Sequence, residues 1–599
     1  MDVMKPIAST DIPTGEDWIY EVKYDGFRCV LDWKADGTIR LTSKNQKDLS
    51  MNFPEIISYC QENQSLVNDV LPLRLDGELV VLNNAYQGNF SWIQKRGRLK
   101  NKESIDKAGL ERPATFLAFD LLLLEDSNLE KLSLEKRKNM LKELFTKNSL
   151  SERIRYIEAF NNSEKLWKII FDYKGEGIIA KRKKSVYSPG KRHQDWYKVK
   201  NWRTFQGFLS EYDSENEYFT MNVFHNDSMI EVGKCKHGLD SEAFQTVKQL
   251  FLTNGEKENK IYRLPPAICA STHSLDIYRG ELREPEFHSL LPNLSPEECT
   301  LEKFELDMAM LPSSFEVSNT EKLYWPDHDL TKGELLVYMR EISPYMLPFL
   351  ENRALTLIRC PDGVNEESFF QKHLPSYAPP FIKGFGDGDD RLIICDSLDS
   401  LTWFANHGAV EYHVPFQRVG SRNPIEIVFD LDPPDRSKFA WAIHAALLIK
   451  RLLDDLGLTS FIKTSGNKGL QVHIPIPEGS MSYDDTAVFT QAIAWTVEKQ
   501  SPDYFTTERM KNKRNDRLYI DYVQHGKDKT IIAPYSPRKT AEGTVSMPMF
   551  WDEVNEDLRP EQFTIKNGID RVHAIGCPFA DYFEVGKKQD LDRVMELIK

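Results

Sequence analysis

The sequence lacks the features of a secreted or membrane-spanning chain. Its first ten residues contain no apolar core of the kind found in signal peptides. No uninterrupted apolar run approaches the ~20 residues that a membrane span needs. The longest candidate, residues 116–124, is interrupted by Asp120. The 8 cysteines are scattered singly, which argues against a disulfide framework and against a cysteine zinc site. We therefore expect a protein of the reducing cytoplasm, with no membrane partner.

The chain also lacks the net positive charge common in proteins that bind nucleic acids, because its net charge is -14. Net charge averages over the whole surface, however, whereas binding depends on local patches. Basic residues are concentrated in three segments, 95–112, 181–203 and 509–517. A solvated basic face explains each segment as readily as contact with a polyanion does.

With 599 residues the chain is too long for one core, so we expect two to four domains. Its composition, 41% hydrophobic and 28% charged, is that of a globular protein. From about residue 288 to 318 the hydrophobic pattern loses its periodicity, which predicts a linker. The sequence from Thr331 to Glu334 predicts a capping box that opens an amphipathic helix reaching about Tyr345.

Residues 18–33 alternate in a way that predicts a strand, a turn at Asp25-Gly26 and a second strand. Lys23 then lies at the end of the first strand, and a surface lysine on a hairpin is one explanation for it. A lysine can also act as a nucleophile when neighbouring cations or a metal depress its pKa.

Two carboxylates and a pair of lysines in the next 180 residues favour the second explanation. Glu78 lies in a strand pattern, and Glu176 precedes a short apolar strand that ends at Lys181. Lys198 and Lys200 are two residues apart, so on a strand they share a face, which favours an anion between them. Carboxylates can hold Mg²⁺ while phosphates supply its other ligands. The set fits nucleotidyl transfer to a lysine.

The order and spacing of these motifs resemble those of the ATP-dependent DNA ligases: Lys-x-Asp-Gly-x-Arg at 23–28, Asp-Gly-Glu at 76–78, the strand around Phe119, Glu-Gly-x-x-x-Lys at 176–181 and Lys-x-Lys at 198–200. The resemblance implies that Lys23 takes AMP from ATP and passes it to a DNA 5′-phosphate, after which a 3′-hydroxyl displaces it. It assigns ATP or AMP binding to Glu21, Lys23, Arg28, Glu78, Phe119, Glu176, Arg192, Lys198, Lys200 and Arg283.

Individual roles follow from the same resemblance. Arg28 is expected at the ribose or the nick, Glu78 at the ribose hydroxyl, and Phe119 against adenine. Glu176 and Glu78 are expected to hold metal. Lys198 and Lys200 are expected at the α-phosphate, with Arg192 nearby. Arg283 is expected to orient the pyrophosphate from a small β-barrel, an OB-fold, over residues 204–292. One departure is Lys44, where the family usually has Arg, and a lysine lacks the bidentate fork for phosphate.

In the second half, Asp430 and Asp432 end an apolar strand and share one of its faces, and Asp521 ends another predicted strand. Three carboxylates can hold two divalent metals. The glycine-rich turn 464–470 can bring backbone N–H groups onto phosphates.

Residues 319–551 resemble the primase-like polymerase module of bacterial ligase D. The resemblance places the metals, Mg²⁺ or Mn²⁺, on Asp430, Asp432 and Asp521. It assigns the NTP or dNTP to His413, Ser465, Lys468, Gln471 and Arg538, and a template base to Phe369 or Phe370. The departure is Gln471, where the family usually has His; His473 lies two places on and shares a strand face with it, so a partial replacement is expected.

Taken whole, the chain resembles bacterial ligase D, which repairs double-strand breaks by non-homologous end joining. The implied fold class is α+β multidomain. We expect an ATP-grasp-like adenylation domain at 1–203, an OB-fold at 204–292, a linker at 293–317, and a polymerase domain related to archaeo-eukaryotic primases at 318–599. The implied partners are broken or nicked double-stranded DNA, in the bacterial nucleoid, and the bacterial Ku homodimer, with the chain itself a monomer. An RNA ligase or capping-type nucleotidyltransferase, or a DNA-end scaffold with decayed sites, are the alternatives.

Overall fold

The computed structural model describes residues 2–278 and 281–598. The chain forms two compact units, one ending at Met308 and the other beginning at Ala309. All 8 cysteines are free, as their scattered positions predict. The predicted domain boundaries remain predictions, but the segment 293–317 is not irregular throughout. It contains the helix Leu301–Ala309, whose Phe304 and Met308 are buried in a core with Phe205.

The first unit begins with two sheets whose apolar faces pack around separate cores. The four-stranded sheet has the order Lys5–Ala8, Arg192–Lys200, Gly177–Arg182, Trp18–Lys23. The larger sheet has the order Ile154–Tyr156, Thr115–Leu124, Leu73–Val80, Phe27–Trp33, Ile39–Ser43, with Ser127–Asn128 paired to Thr115–Leu124. Leu82–Asn84 pairs with Gln87–Gly88. The helices are Pro54–Glu62, Gln64–Val67, Phe90–Arg98, Lys102–Glu111, Leu134–Lys147 and Ser163–Asp172.

The two strands around Lys23 were expected to form a hairpin, and this expectation is wrong. Trp18–Lys23 pairs with Gly177–Arg182 in the smaller sheet, whereas Phe27–Trp33 pairs with strands of the larger sheet. The turn therefore crosses from one sheet to the other. At Gly26 a Cβ would lie 2.3 Å from the carbonyl oxygen of Leu79, so only glycine fits this crossing.

The rest of the first unit is a mainly antiparallel β-structure with its own core. Its sheet has the order Ser228–Cys235, Phe219–His225, Arg203–Asp213, Ile261–Ser274, Glu256–Glu258, with Glu286–Leu290 paired to Ile261–Ser274. Asp276–Tyr278 pairs with Glu281–Arg283, and Ser241–Asn254 is helical. This agrees with a small β-domain; the OB-fold itself stays a prediction.

The second unit contains two six-stranded sheets. One has the order Gly384–Phe385, Leu392–Ile394, Ala354–Arg359, Ala409–Pro415, Thr530–Ile532, with Phe369–Gln371 paired to Ala354–Arg359. The other has the order Phe505–Thr506, Leu518–Asp521, Glu426–Asp432, Leu470–Pro475, Phe461–Thr464, Pro548–Met549. Leu323–Trp325 pairs with Leu330–Thr331.

The helices of the second unit are Lys332–Leu350, Leu398–Asn406, Phe439–Asp455, Tyr483–Gln500, Gly568–Ile575, Tyr582–Lys588 and Asp592–Ile598. The predicted capping box is confirmed: the Thr331 hydroxyl accepts from the backbone N–H of Glu334, and the Glu334 carboxylate accepts from that of Thr331. The helix runs five residues past the predicted end at Tyr345, because its apolar face stays buried as far as Leu350.

Candidate active sites

The first unit holds a cavity of about 350 Å³ with Lys23 on its wall. Most of the residues assigned to ATP by the sequence meet there, although they come from five different strands. The predicted residues along the cavity are Glu21, Lys23, Arg28, Glu78, Phe119, Arg192 and Lys198, joined by Lys44 and Lys181. Glu176, Lys200 and Arg283 lie outside its lining, and their contacts are described below.

Lys23 ends its strand opposite Gly177, and its ammonium donates to the Glu176 carboxylate. Gly177 has φ +149°, and a Cβ there would lie 2.1 Å from the carbonyl oxygen of Val199. Glycine thus permits the close approach that turns Glu176 toward Lys23. The Glu176 Oε2 atom is buried without a hydrogen-bond partner in the described part of the chain. This orphaned oxygen fits the predicted metal-binding role.

Glu78 lies directly across the sheet from Arg28. Burial raises the pKa of Glu78 to about 8, although the positive charges of Arg28 and Lys23 oppose the shift. A carboxyl group in this state can donate to a ribose oxygen when protonated, or hold a cation after losing its proton.

The Glu21 carboxylate lies between two lysines at the buried end of the cavity. Its oxygens are 2.7 Å from Lys138 Nζ and 2.6 Å from Lys181 Nζ. Lys181 Nζ also lies 4.2 Å from the centroid of the Phe119 ring. Lys138 comes from the helix Leu134–Lys147, outside every motif, so no sequence signal marked it.

Arg28 is held by a partner that the sequence analysis did not single out. Its guanidinium donates to both oxygens of Asp76, at 2.7 and 2.6 Å, and Asp76 also accepts from the Tyr187 hydroxyl at 2.5 Å. The Arg28 guanidinium carbon lies 4.3 Å from the Phe119 ring centroid. Arg28 therefore borders the cavity as a fixed cation beside the proposed adenine-stacking ring.

Lys198 and Lys200 have different surroundings. Lys198 faces the cavity, and burial together with Lys23 and Lys200 lowers its pKa. Lys200 is 2.7 Å from Glu284 and 3.8 Å from Glu286. The expectation of an anion between the two lysines stays a prediction, and Glu284 already places one negative charge beside Lys200.

Arg283 forms an ion pair with Asp25, two residues from Lys23. Its guanidinium carbon lies 4.1 Å from the Phe90 ring centroid, and burial lowers the pKa of Arg283 to about 10. The contact brings the strand Glu281–Arg283 to the turn that follows Lys23.

In the second unit, Asp430 and Asp521 face each other on neighbouring strands, and Asp432 lies one pleat along. Burial raises the pKa of Asp430 to about 6, with Asp521 and Asp432 adding to the shift, and burial also raises that of Asp521. Asp432 lies 2.9 Å from Lys468 and 3.5 Å from Arg514. Carboxylates that are this close and only partly exposed are stabilised in their ionised form by a nearby cation.

Residues 2–278 and 281–598 contain no cluster of three or more His, Cys, Asp or Glu side chains already arranged around a metal position. The donor set nevertheless fits a divalent ion, because the three carboxylates supply the oxygen ligands that Mg²⁺ and Mn²⁺ prefer. The positive charges of Lys468 and Arg514 stand beside Asp432, where an ion would compete with them.

Two backbone N–H groups of the glycine-rich turn form hydrogen bonds within the turn itself. The Ser465 hydroxyl accepts from the backbone N–H groups of Asn467 and Gly469, at 3.3 and 3.1 Å. Gly466 has φ +70°, and a Cβ there would lie 2.6 Å from the Arg538 side chain. The expectation that this turn directs its N–H groups outward is thus wrong for these two amides. The turn instead supplies a carbonyl, that of Ser465, to Arg538 at 2.9 Å, and Lys468 donates to the Pro433 carbonyl at 2.7 Å.

Glu411, which the sequence analysis did not assign, joins two predicted nucleotide-binding residues. One oxygen lies 2.8 Å from His413 Nε2; the other accepts from Arg538 Nε at 3.2 Å and from the Lys539 backbone N–H at 2.8 Å. Burial opposes ionisation, but the His413 hydrogen bond and the Arg538 charge lower the pKa of Glu411 to about 2.

Gln471 and His473 do not share a function. Gln471 Nε2 donates to Asp430 Oδ1 at 3.0 Å. His473 is 1% exposed, and its Nδ1 lies 3.1 Å from Glu426. Glu426 also forms an ion pair with Arg353. The expected partial replacement of Gln471 by His473 is therefore wrong, because one pleat along the strand carries the imidazole away from Asp430.

Phe369 and Phe370 lie on the edge strand Phe369–Gln371 and are 43% and 74% exposed. Exposed rings of this size are available to stack on a base.

The segment 509–517 borders an open depression of about 920 Å³, lined in part by Arg509, Lys513 and Arg517. In the segment 95–112, by contrast, Arg96 is fully buried against Glu55 at 2.9 Å and serves the fold.

Among the described residues, every helix is too short or too polar to cross a membrane.

Comparison with known proteins finds one family model in each half of the chain. Residues 4–200 match the family model of the ATP dependent DNA ligase domain, and residues 331–579 match that of the LigD primase-polymerase domain. The bifunctional non-homologous end joining protein LigD of Bacillus subtilis is 39% identical over 605 aligned positions, which cover 100% of this chain and 99% of the relative. The multifunctional LigD of Pseudomonas aeruginosa is 25% identical and covers 97% of this chain and 72% of the relative.

Among solved structures, the polymerase domain of Mycobacterium tuberculosis ligase D in complex with DNA covers 46% of this chain and 99% of that domain, at 30% identity and a TM-score of 0.42. A mycobacterial DNA ligase D complexed with ATP and MES covers 50% of this chain and 98% of that chain, at 23% identity and a TM-score of 0.30. Full-length similarity to the Bacillus protein, together with both domain matches, shows that this chain belongs to the LigD family of non-homologous end joining proteins and joins an ATP-dependent DNA ligase domain to a primase-polymerase domain.

Proposed function

We propose that the chain fills and then seals broken DNA ends with the residues assigned above. The observation that carries the ligase half is the meeting of Lys23, Glu78, Phe119 and Lys198 on one cavity of about 350 Å³. A volume of this size suits a nucleotide. The polymerase half rests on Asp430, Asp432 and Asp521 on adjacent strands.

In the ligase step, the neutral amine of Lys23 attacks the α-phosphorus of ATP. A P–N bond forms, the bond to the bridging oxygen breaks, and pyrophosphate leaves. The lysine must first release a proton, and the Glu176 carboxylate is the acceptor already hydrogen-bonded to it. Lys198 offsets charge at the α-phosphate, and Arg283 receives the departing pyrophosphate.

In the second and third steps, AMP passes from Lys23 to a DNA 5′-phosphate, and a 3′-hydroxyl then displaces it. Phe119 holds the adenine and Glu78 the ribose during these transfers. A divalent ion, when bound at Glu176 and Glu78, supplies charge neutralisation for the phosphates. The basic segment 181–203 offers cations to the DNA backbone.

In the polymerase half, Asp430, Asp432 and Asp521 would hold Mg²⁺ or Mn²⁺, which supplies activation of the primer hydroxyl when bound. His413, Lys468 and Arg538 orient the triphosphate, and Phe369 or Phe370 stacks on the template base. The family resemblance supports bacterial Ku as a partner and a monomeric chain.

Incubation with ATP and Mg²⁺ followed by intact-protein mass spectrometry tests the ligase assignment. We expect one AMP adduct on the wild type and none on Lys23→Ala, while Lys34→Ala, an exposed lysine on the same domain, keeps the adduct. An adduct on Lys23→Ala would contradict the assignment. Sealing of nicked DNA but not nicked RNA separates this function from an RNA ligase.

Asp430→Ala tests the second half. It should abolish nucleotide addition to a gapped DNA end and leave nick sealing intact, because the adduct forms at Lys23. A scaffold with decayed sites would show neither activity in the wild type.

A further inference from the structure

Lys463 is a fully buried lysine next to the polymerase carboxylates, and no motif role explains it. It lies in the strand Phe461–Thr464, opposite Gln471 in the neighbouring strand, and is 0% exposed. Its Nζ donates to Gln471 Oε1 and, at 2.6 Å, to the Ser546 hydroxyl. That hydroxyl donates onward to the Thr464 carbonyl at 3.0 Å. Burial lowers the pKa of Lys463 well below its ordinary value, and a neutral amine keeps the N–H groups that make both of these hydrogen bonds.

Lys463 Nζ has no carboxylate partner. Within residues 2–278 and 281–598 it forms no ion pair, and the nearby carboxylates pair with other cations. Its contact instead passes through an amide, because Gln471 Nε2 donates to Asp430 Oδ1 at 3.0 Å. The amide has one accepting end and one donating end. The N–H donor of Lys463 on one side and the Asp430 carboxylate on the other therefore fix which end of the amide faces each of them.

The carboxylates of Asp430 and Asp432 have different contacts. Asp432 contacts the side chains of Lys468 and Arg514 directly. Asp430 has no ion-pair partner among the described residues, and its Oδ2 atom receives no hydrogen bond from them. A direct cation would occupy an oxygen that a divalent ion needs. A polarised amide instead holds one oxygen and leaves the other available.

We propose that Lys463 is a positioning residue for metal binding by the polymerase unit: it orients and polarises the Gln471 amide, which holds Asp430 Oδ1 so that Oδ2 faces a divalent cation. The inference rests on the proposed metal-binding role of Asp430, Asp432 and Asp521. It also explains why glutamine stands where the family usually has histidine. A neutral imidazole likewise offers one acceptor and one N–H donor, so either side chain can transmit the effect of Lys463.

Mn²⁺ binding to the full-length protein, measured by electron paramagnetic resonance of the free ion, tests this without requiring activity. The Mn²⁺ binding that is lost in Asp430→Ala is the part that belongs to the polymerase unit. We expect Lys463→Met and Gln471→Leu each to weaken that binding about 10-fold or more, the usual effect of losing the partner of a metal ligand. The double variant should be no weaker than either single one, since both remove the same relay. Gln471→His should bind within about threefold of wild type, because its imidazole keeps both ends of the relay.

The control is Lys499→Met, which removes an exposed lysine from the helix Tyr483–Gln500 and should leave binding unchanged. If Asp430→Ala binds as much Mn²⁺ as wild type, the proposed metal site itself is wrong. If Asp430→Ala loses the ion but Lys463→Met and Gln471→Leu do not, the metal site stands and the relay is overturned. Multiplicative losses in the double variant would also overturn it. Should Lys463→Met fail to fold, Gln471→Leu, which keeps the lysine, carries the same comparison.

Discussion

Replacing Glu411 by glutamine should disturb both the stability of the second unit and its use of nucleotides. The carboxylate is 4% exposed, and its two oxygens contact His413, Arg538 and the Lys539 backbone N–H. Glutamine keeps one accepting oxygen but turns an NH₂ group toward one of these donors. It also removes the negative charge beside the Arg538 guanidinium, whose side chain is 16% exposed.

The pKa of Glu411 gives the size of the effect. Its value is about 2 against an ordinary 4.5. At about 1.4 kcal/mol per pKa unit, ionised Glu411 contributes about 3 kcal/mol to the free energy of unfolding at neutral pH. Because the folded-state pKa is the lower one, this contribution is complete above pH 4.5 and is lost as the pH falls toward 2. The gap between wild type and Glu411→Gln should therefore shrink between pH 4.5 and 3.

Urea unfolding at a series of pH values measures the first effect, with Glu367→Gln, an exposed glutamate of the same unit, as the control. Primer extension measures the second: the KM for the nucleotide should rise about 10-fold or more, the usual effect of losing a hydrogen bond to a charged group. AMP-adduct formation at Lys23 should be unchanged. A gap in stability that is constant with pH, or a wild-type KM, would refute the account of Glu411 as the common anchor of His413 and Arg538.

Three further predictions follow from the first unit. Arg137→Met should lower the free energy of unfolding of this unit, measured by urea titration, by about 3–5 kcal/mol, because Arg137 and Asp120 form a fully buried ion pair at 2.7 Å. The control Arg40→Met breaks an exposed ion pair with Asp48 and should cost less than about 1 kcal/mol. Lys198→Met should slow AMP-adduct formation more than Lys200→Met does, since Lys198 faces the cavity and Lys200 is held by Glu284; equal losses in rapid-quench assays would contradict this distinction. Arg283→Ala should slow adduct formation yet leave sealing by pre-adenylated protein nearly unchanged; a similar fall in both rates would mean that Arg283 does not act on the first step alone.

The sequence was most informative where function and local structure coincide. Lys23, Lys198, Asp430 and Asp521 were expected on strands, and the structure has all four there. Alternation along a strand decides which side chains share a face, so short motifs convey the chemistry of a site.

The partners of these residues were not predictable, because they come from distant parts of the chain. Lys138 reaches Glu21 from a helix 117 positions on, and Glu411 meets Arg538 across 127 positions. A turn dipeptide likewise predicts a reversal of the chain but not the sheet that each strand joins. The helix Leu301–Ala309 was missed because its apolar residues Leu301, Phe304 and Met308 follow a proline-containing stretch that resembles a linker.

The crossing of the chain at Asp25-Gly26 has a mechanical consequence. Lys23 is anchored in one sheet and Arg28 in the other, and the three residues 24–26 connect the two strands. A small rotation of one sheet against the other would change the distance between the nucleophile and its neighbouring cation without altering the backbone of either strand. The width of the cavity therefore depends on the angle between the two sheets, whereas the position of Lys23 within its strand does not.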